Sequence, residues 1–440
     1  MQSKVKLAKV GKISIVIKLL ILASLLTLVA CSIDKTQPTV KVIAEESLKF
    51  GFIAFGDSGY DVAYLKEKQY MPAVATLEEF VAIERADWLE DQRPANDFVA
   101  PPNQYIAEVN SFVESAGLYP VADAMYNYCA NASCEFSVML GDNVYPDGAD
   151  ASPADDKRFE TLFSKPLSKL GERNASYKIY TALGNHDWDT SREGAMAQVK
   201  FMENTKPFYM DGVFYKVKPP AAKGEVEIFV IDTEIILSST MVLETQLNPD
   251  GSEQSIDEID MPEEWTKPQG EAEENIVAWL EQSLKNSTAK WKFVIGHHPI
   301  WSTGGTKYEQ AKSLRKLLLP SMCRYADAYF SGHEHSLELH EDSCESVFGE
   351  GNGLPLLQIV SGAAAKQRAV NEPFKTFQDR NYPENNSIFT KGMIWGFSHI
   401  QLNGETATVD MISTPNSGTA ETNLEYRHSF SRRSGSAASK

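Results

Sequence analysis

Five short polar clusters in this chain each open with glycine and each follow an apolar run, and this recurrence restricts the fold more than any other feature. The clusters are Gly56-Asp57-Ser58, Gly141-Asp142-Asn143, Gly184-Asn185-His186-Asp187, Gly296-His297-His298 and Gly332-His333-Glu334-His335. The runs before them, residues 50–55, 136–140, 177–182, 292–295 and 328–331, are rich in apolar side chains, as expected of strands covered on both faces. Residues 227–231, 356–361, 393–402 and 407–412 are further strand candidates. Helical periodicity marks the stretch around 121–129 and residues 270–285, where Ile276, Val277, Leu280 and Leu284 share a face. Strands alternating with helices predict an α/β body. Such sheets gather their ligands at the carboxyl ends of strands, where glycine permits a sharp turn and close approach of an ion or phosphate. Five exits of this kind can converge on one point.

The side chains at these exits point to metal chemistry. Only eight histidines occur in 440 residues, yet five of them, His186, His297, His298, His333 and His335, lie inside the clusters. Asp57, Asp142 and Asn185 stand with them, so imidazole, carboxylate and amide donors are all supplied. The alternative is a hydrogen-bonded set of loop ends without a metal.

The ordered series Gly-Asp … Gly-Asp-x-x-Tyr … Gly-Asn-His-Asp … Gly-His-x-Pro … Gly-His-x-His resembles the calcineurin-like metallophosphoesterase superfamily, from about residue 50 to residue 365. Tyr145, after Asp142, gives a specific likeness to the purple acid phosphatases in their small tartrate-resistant form. The resemblance implies an αββα sandwich of two mixed sheets flanked by helices. It also implies two metal ions, Fe(III) with Fe(II), Zn(II) or Mn(II). Asp57, Tyr145 and His335 would hold the first ion, Asn185, His297 and His333 the second, and Asp142 would bridge them. The implied activity is hydrolysis of small phosphate monoesters by water activated between the ions. His186 would stabilise the phosphoryl group or protonate the leaving alkoxide, with Asp187 as its orienting partner or as a turn residue. Tartrate-resistant relatives carry a further histidine beyond Gly-His-x-Pro, and residues 301–307 here contain none. His298, facing substrate or standing behind the ligands, or Lys307 would have to replace it. The motifs specify metals rather than leaving groups, so a phosphodiesterase or nucleotide pyrophosphatase is the rival reading. A surface-binding lipoprotein without turnover is a second rival.

The amino-terminal segment has a different character. Lys4, Lys6, Lys9 and Lys12 precede an apolar stretch that ends in Leu28-Val29-Ala30-Cys31, which is similar to a bacterial lipobox. The expected organisation is a signal segment and lipobox cysteine over 1–31, a tether over 32–48, a catalytic domain over 49–412 and a polar tail over 413–440. Lipid on Cys31 would attach the exported protein to a membrane, in the periplasm or at the cell surface. Ser32 after the cysteine, rather than Asp, resembles an outer-membrane sorting choice if the host is Gram-negative. Residues 1–30 hold five lysines and no acid, so the remainder carries 37 basic against 60 acidic residues, a net −23. That field disfavours nucleic acid as a partner. It also requires strong local positive charge wherever an anionic substrate binds. The oligomeric state is left open. Four other cysteines favour disulfides in an exported chain, with Cys129–Cys134 and Cys323–Cys344 the preferred pairing of three. Two stretches, about 60–102 and 235–268, lengthen the chain relative to the small relatives, and the first is expected to overhang the metal site.

Overall fold

The apolar runs become the strands of two sheets in the computed structural model, which describes residues 49–62, 74–91, 93–240, 262–304 and 308–433. The expected signal segment, Cys31 and the tether lie outside the described residues. In chain order the strands are β1 (Lys49–Phe55), β2 (Asn103–Ile106), β3 (Ser111–Glu114), β4 (Ser137–Leu140), β5 (Ile179–Ala182), β6 (Phe208–Tyr209), β7 (Tyr215–Val217) and β8 (Val226–Val230). They continue with β9 (Trp291–Ile295), β10 (Ala328–Ser331), β11 (Leu337–Asp342), β12 (Leu356–Ser361), β13 (Asn385–Lys391), β14 (Trp395–Asn403), β15 (Thr406–Thr414) and β16 (Asn423–Ser431). One seven-stranded sheet runs β16-β15-β14-β1-β4-β5-β6 and the other runs β13-β11-β12-β10-β9-β8-β7, while β2 and β3 form a separate hairpin.

Each large sheet is mixed in the same way. β1, β4, β5 and β6 are parallel neighbours, as are β8, β9, β10 and β12, and antiparallel strands extend both blocks. Every residue of β4, β5, β8, β9, β10 and β12 is buried, which explains their nearly unbroken apolar sequences. The sheets pack face to face. Phe52 of β1 stacks on Phe136 at 4.6 Å and touches Phe293 of β9 at 5.6 Å and Phe330 of β10 at 5.8 Å. Ser361 Oγ on β12 donates to Ala54 O on β1 at 2.8 Å, a buried polar tie between the layers. Helices Leu118–Tyr128 and Ile276–Asn286 pack against β14 and β8. The sandwich therefore has the predicted fold class, and both preferred disulfides, Cys129–Cys134 and Cys323–Cys344, are present.

Two expectations need correction. Residues 270–285 are not one helix: Asn275 (φ −107°, ψ 18°) separates Glu271–Glu274 from Ile276–Asn286. Residues 413–440 are not simply a tail, because β16 extends the first sheet by pairing antiparallel with β15 from Thr406↔Ser431 to Ser413↔Asn423. Beyond β16, the buried Arg433 guanidinium donates to Ala326 O (2.6 Å), Cys323 O (3.0 Å) and Leu354 O (2.6 Å). Ending the chain at Thr419 strips a sheet edge and leaves those carbonyls without their donors. We expect a loss of about 3 kcal/mol and a fall of several degrees in thermal midpoint. A scanning calorimetry trace matching the full chain would restore the tail interpretation.

Candidate metal centre

All five glycine-led loops leave parallel strands, β1, β4, β5, β9 and β10, at their carboxyl ends. Crossing backbone bonds tie these exits together. Asp57 N–H donates to Gly141 O (3.0 Å), Gly59 N–H to Asp142 O (3.1 Å) and Gly332 N–H to His297 O (2.9 Å). Three residues of these exits adopt the left-handed backbone that side chains usually avoid: Asp57 (φ 55°), Asp142 (φ 51°) and His333 (φ 70°). Gly184 must lack a side chain, since a Cβ there would lie 2.3 Å from Asp142 Oδ1.

The donor atoms fall into two groups that share one carboxylate. In the first, Tyr145 OH donates to Asp142 Oδ2 at 2.7 Å and lies 3.1 Å from Asp57 Oδ1 and 3.0 Å from His335 Nε2. In the second, His297 Nε2 lies 3.1 Å from Asn185 Oδ1, 3.2 Å from Asp142 Oδ1 and 3.0 Å from His333 Nδ1. Asp142 thus turns one oxygen to each group. Separations near 3 Å match the edges of a coordination polyhedron with bonds of about 2.0–2.2 Å. His297 Nδ1 donates to Leu140 O at 2.8 Å, which leaves Nε2 unprotonated in the neutral ring and aimed at the cluster. Three oxygens and one nitrogen make up the first group, and two oxygens and two nitrogens the second. The residues present fit a pair of ions, the harder one on the tyrosine side.

The electrostatics agree with that fit. Burial pushes Asp57 well above the usual carboxylate range, with His297 opposing and Asp142 adding to the shift. Burial pulls Asp142 upward too, but His297 and His186 overcome it and hold this carboxylate far below its usual range. Burial, then Asp142 and Asp57, push the Tyr145 phenol well above its ordinary value. Burial opposes charge on His297, yet Asp142 raises it to about 10. A bound cation inverts this pattern by favouring phenolate and neutral imidazole together.

Three further candidates sort differently. His186 lies at the rim: its side chain is 33% exposed and its ring centroid is 4.3 Å from that of Tyr145. Its Nδ1 donates to Pro146 O at 2.6 Å and pairs with Asp189 Oδ2 at 2.8 Å, leaving Nε2 as the outward nitrogen. Asp187 does not orient it. The Asp187 carboxylate instead accepts from Asn143 N–H (2.9 Å), Asn143 Nδ2 (3.0 Å) and Gly184 N–H (2.8 Å), binding two donor loops together. His298 does not face substrate: it is fully buried, lies 2.8 Å from Thr233 Oγ1 through Nδ1 and 3.5 Å from Glu234 Oε2 through Nε2, and packs on the His333 ring at 4.3 Å. It stands behind the donors as a support, so it does not replace the missing histidine. Lys307, the other candidate, lies outside the described residues.

Sequence reasoning missed Asp189 and two cations, Lys366 and Arg368. Arg368 Nη1 donates to Glu334 Oε2 (2.9 Å) and His333 O (3.2 Å). Burial and these two cations lower His335 well below the ordinary histidine value. Neither cation belongs to a glycine-led cluster. The signal available was their place just after the apolar run 356–361, on another parallel strand.

A family model of calcineurin-like phosphoesterases matches residues 114–337. Two curated relatives come from Arabidopsis thaliana. Purple acid phosphatase 4 is 26% identical over 271 residues, covering 61% of this chain and 67% of its own length. Purple acid phosphatase 17 is 27% identical over 236 residues, covering 53% and 59%. The matched stretches thus span between about half and two thirds of such relatives' length. Among solved structures, GAP50, the anchor in the inner membrane complex of Plasmodium, superposes with a TM-score of 0.53 at 16% identity, covering 88% of this chain and 90% of that one. The purple acid phosphatase PPD1 from yellow lupin (Lupinus luteus) seeds superposes with a TM-score of 0.51 at 14% identity, covering 88% and 54%. These two likenesses concern the fold.

The different partners of Asp187 and Asp189 separate structure from chemistry. Asp187→Ala leaves three buried N–H donors without an acceptor, and we expect a loss of about 2–4 kcal/mol in urea unfolding. Asp189→Ala removes a half-exposed pairing and should cost under about 1 kcal/mol. Equal stability of the two variants would reverse the assignment.

Proposed function

This chain belongs to the calcineurin-like phosphoesterases, which are metal-dependent, and we propose that it is a phosphomonoesterase of the purple acid phosphatase type. The observation that carries this reading is Tyr145 OH lying within 2.7–3.1 Å of Asp142, Asp57 and His335, a phenol aimed at a metal position. Asp57, Tyr145 and His335 would hold Fe(III), and Asn185, His297 and His333 would hold Fe(II), Zn(II) or Mn(II), with Asp142 between them. Two such ions, when bound, neutralise phosphoryl oxygens and make hydroxide available near neutral pH.

The chain's own residues supply the rest. His186 Nε2 points away from the Pro146 and Asp189 contacts, so it can hydrogen-bond a phosphoryl oxygen or give a proton to the departing alkoxide. Burial opposes its charge, but Asp142 and Asp189 raise it to about 9 in the metal-free centre. Asp142 fixes the neighbouring backbone by accepting from His186 N–H at 3.0 Å. Asp187 keeps the Asn185 loop in register with the Asp142 loop through Gly184 and Asn143. We also propose export and lipid attachment at Cys31. The two disulfides support an oxidising compartment.

The test is metal analysis and a visible spectrum of residues 32–440, for wild type, Tyr145→Phe and Asp142→Ala. We expect two ions per chain in wild type, a visible band absent from Tyr145→Phe, and loss of metal in Asp142→Ala. Activity on 4-nitrophenyl phosphate should exceed that on its diester, and should fall by at least about 10³ in Asp142→Ala. Two ions without the band would remove the purple subclass. A diester preference would replace the monoesterase reading.

A further inference from the structure

The loop following β12, residues 362–371, emerges at the same sheet edge as the donor loops and is held from both sides. On its inner side Ala364 N–H donates to Gly56 O (3.2 Å), Gly362 N–H to Ser336 O (3.2 Å) and Arg368 N–H to His335 O (2.9 Å). On its outer side Gln367 N–H donates to Glu114 Oε1 (3.2 Å) and Asn371 Nδ2 to Asp91 O (3.0 Å), while Gly117 N–H donates to Ala365 O (2.9 Å). Asp91 and the β3 residue Glu114 therefore brace this loop. Tyr60 OH completes the brace by donating to Glu114 O at 2.9 Å.

Two cations stand on the loop, and their surroundings differ. Arg368 is committed to Glu334 and the His333 carbonyl. Lys366 Nζ instead lies over two aromatic faces, 5.2 Å from the centroid of Tyr60 and 5.4 Å from that of Tyr145. Its ion partner is Glu114 Oε2 at 3.8 Å, rather than Asp57 or Asp142, and its side chain is 27% exposed. His186 shares the Tyr145 ring, so a partly exposed imidazole and a partly exposed ammonium group flank the donor cluster. Bound metals would match the charge of the scissile phosphate. Around Tyr60, on the same side as Lys366, the neighbouring charges Glu114, Asp61 and Glu84 are all acidic. In a chain of net −18, an anionic group beyond the scissile phosphate needs a cation of its own.

We propose that Lys366 is a specificity-determining residue that binds a second anionic group on the substrate, a phosphoryl or carboxylate carried by the leaving group. This rests on the phosphoesterase reading above. The preferred substrates are then small phosphate compounds with a second negative charge beside the scissile phosphate.

The experiment compares metal-loaded wild type, Lys366→Gln and Lys366→Arg on 4-nitrophenyl phosphate, 2-phosphoglycolate and pyrophosphate. Calorimetry of phosphonoacetate binding gives a readout independent of turnover. For Lys366→Gln we expect kcat/KM on the doubly anionic substrates to fall by about tenfold, mainly through KM, and phosphonoacetate binding to weaken by a similar factor. The loss on 4-nitrophenyl phosphate should stay below about threefold, and Lys366→Arg should recover most of each loss. Loss on 2-phosphoglycolate alone assigns a carboxylate, and loss on pyrophosphate alone a phosphoryl group. Equal losses on all three substrates, or none, would overturn the role of Lys366 and leave the phosphoesterase reading standing. A wild type inactive on every ester would remove that reading and this proposal with it.

Discussion

Asp57 and Asp142 are taken out of water within reach of a single phenol, and the arrangement of the whole sheet edge follows from making that burial tolerable. An unpaired buried carboxylate is costly, and two side by side are worse. The fold meets part of the cost with backbone donors: His333 N–H reaches Asp57 Oδ2 at 2.8 Å and His186 N–H reaches Asp142 Oδ1 at 3.0 Å. Those bonds require the turns that place Asp57, Asp142 and His333 in left-handed backbone, each costing on the order of 1–3 kcal/mol. The remaining imbalance is what a pair of cations corrects. Strain and buried charge here have a single cause.

Such a site is rigid only if the two sheets are. Asp57, Asp142 and Asn185 come from one parallel block, and His297 and His333 from the other. Each donor group takes side chains from both blocks, so the spacing within each group depends on the packing of Phe52 against Phe293 and Phe330, well inside the core. The His297 Nδ1 bond to Leu140 O, 2.8 Å, crosses the same boundary and fixes a ligand of one sheet against a strand of the other. A core that loosened by an ångström would misplace donors that no loop could bring back.

Legibility from the sequence follows the physics of each element. Strands buried on both faces showed as apolar runs, so all nine expected strands are present. β11 did not, because Glu338 and His340 alternate with Leu337 and Leu339 and look solvated. Both are buried, and Glu338 accepts from Thr303 Oγ1 (2.7 Å), Ser336 Oγ (2.8 Å) and His340 Nε2 (2.8 Å). β16 was hidden by its polar composition, although Leu424, Tyr426 and Phe430 already kept a two-residue period. The convergence of the glycine-led clusters was legible because each carried its own motif. The partner of His186 was not. Adjacency in sequence favoured Asp187, but in the helical turn Asn185–Trp188 neighbouring side chains diverge, whereas a residue three positions on, Asp189, returns to the same face.

The strong acidity of the chain also changes meaning once the site is known. A net charge of −18 looks hostile to phosphorylated substrates, but screening confines that repulsion to about 8 Å at physiological ionic strength. Within that distance the local groups decide. Around Tyr145 these are the metal positions, His186, Lys366 and, through its charge on His335, Arg368. Substrate would bind only where bound metals and such local positive groups outweigh the acidic residues around them. On the proposed role of Lys366, selection by charge operates at contact and not during approach, through the loop that carries it rather than through the sixty acidic residues counted over the whole chain.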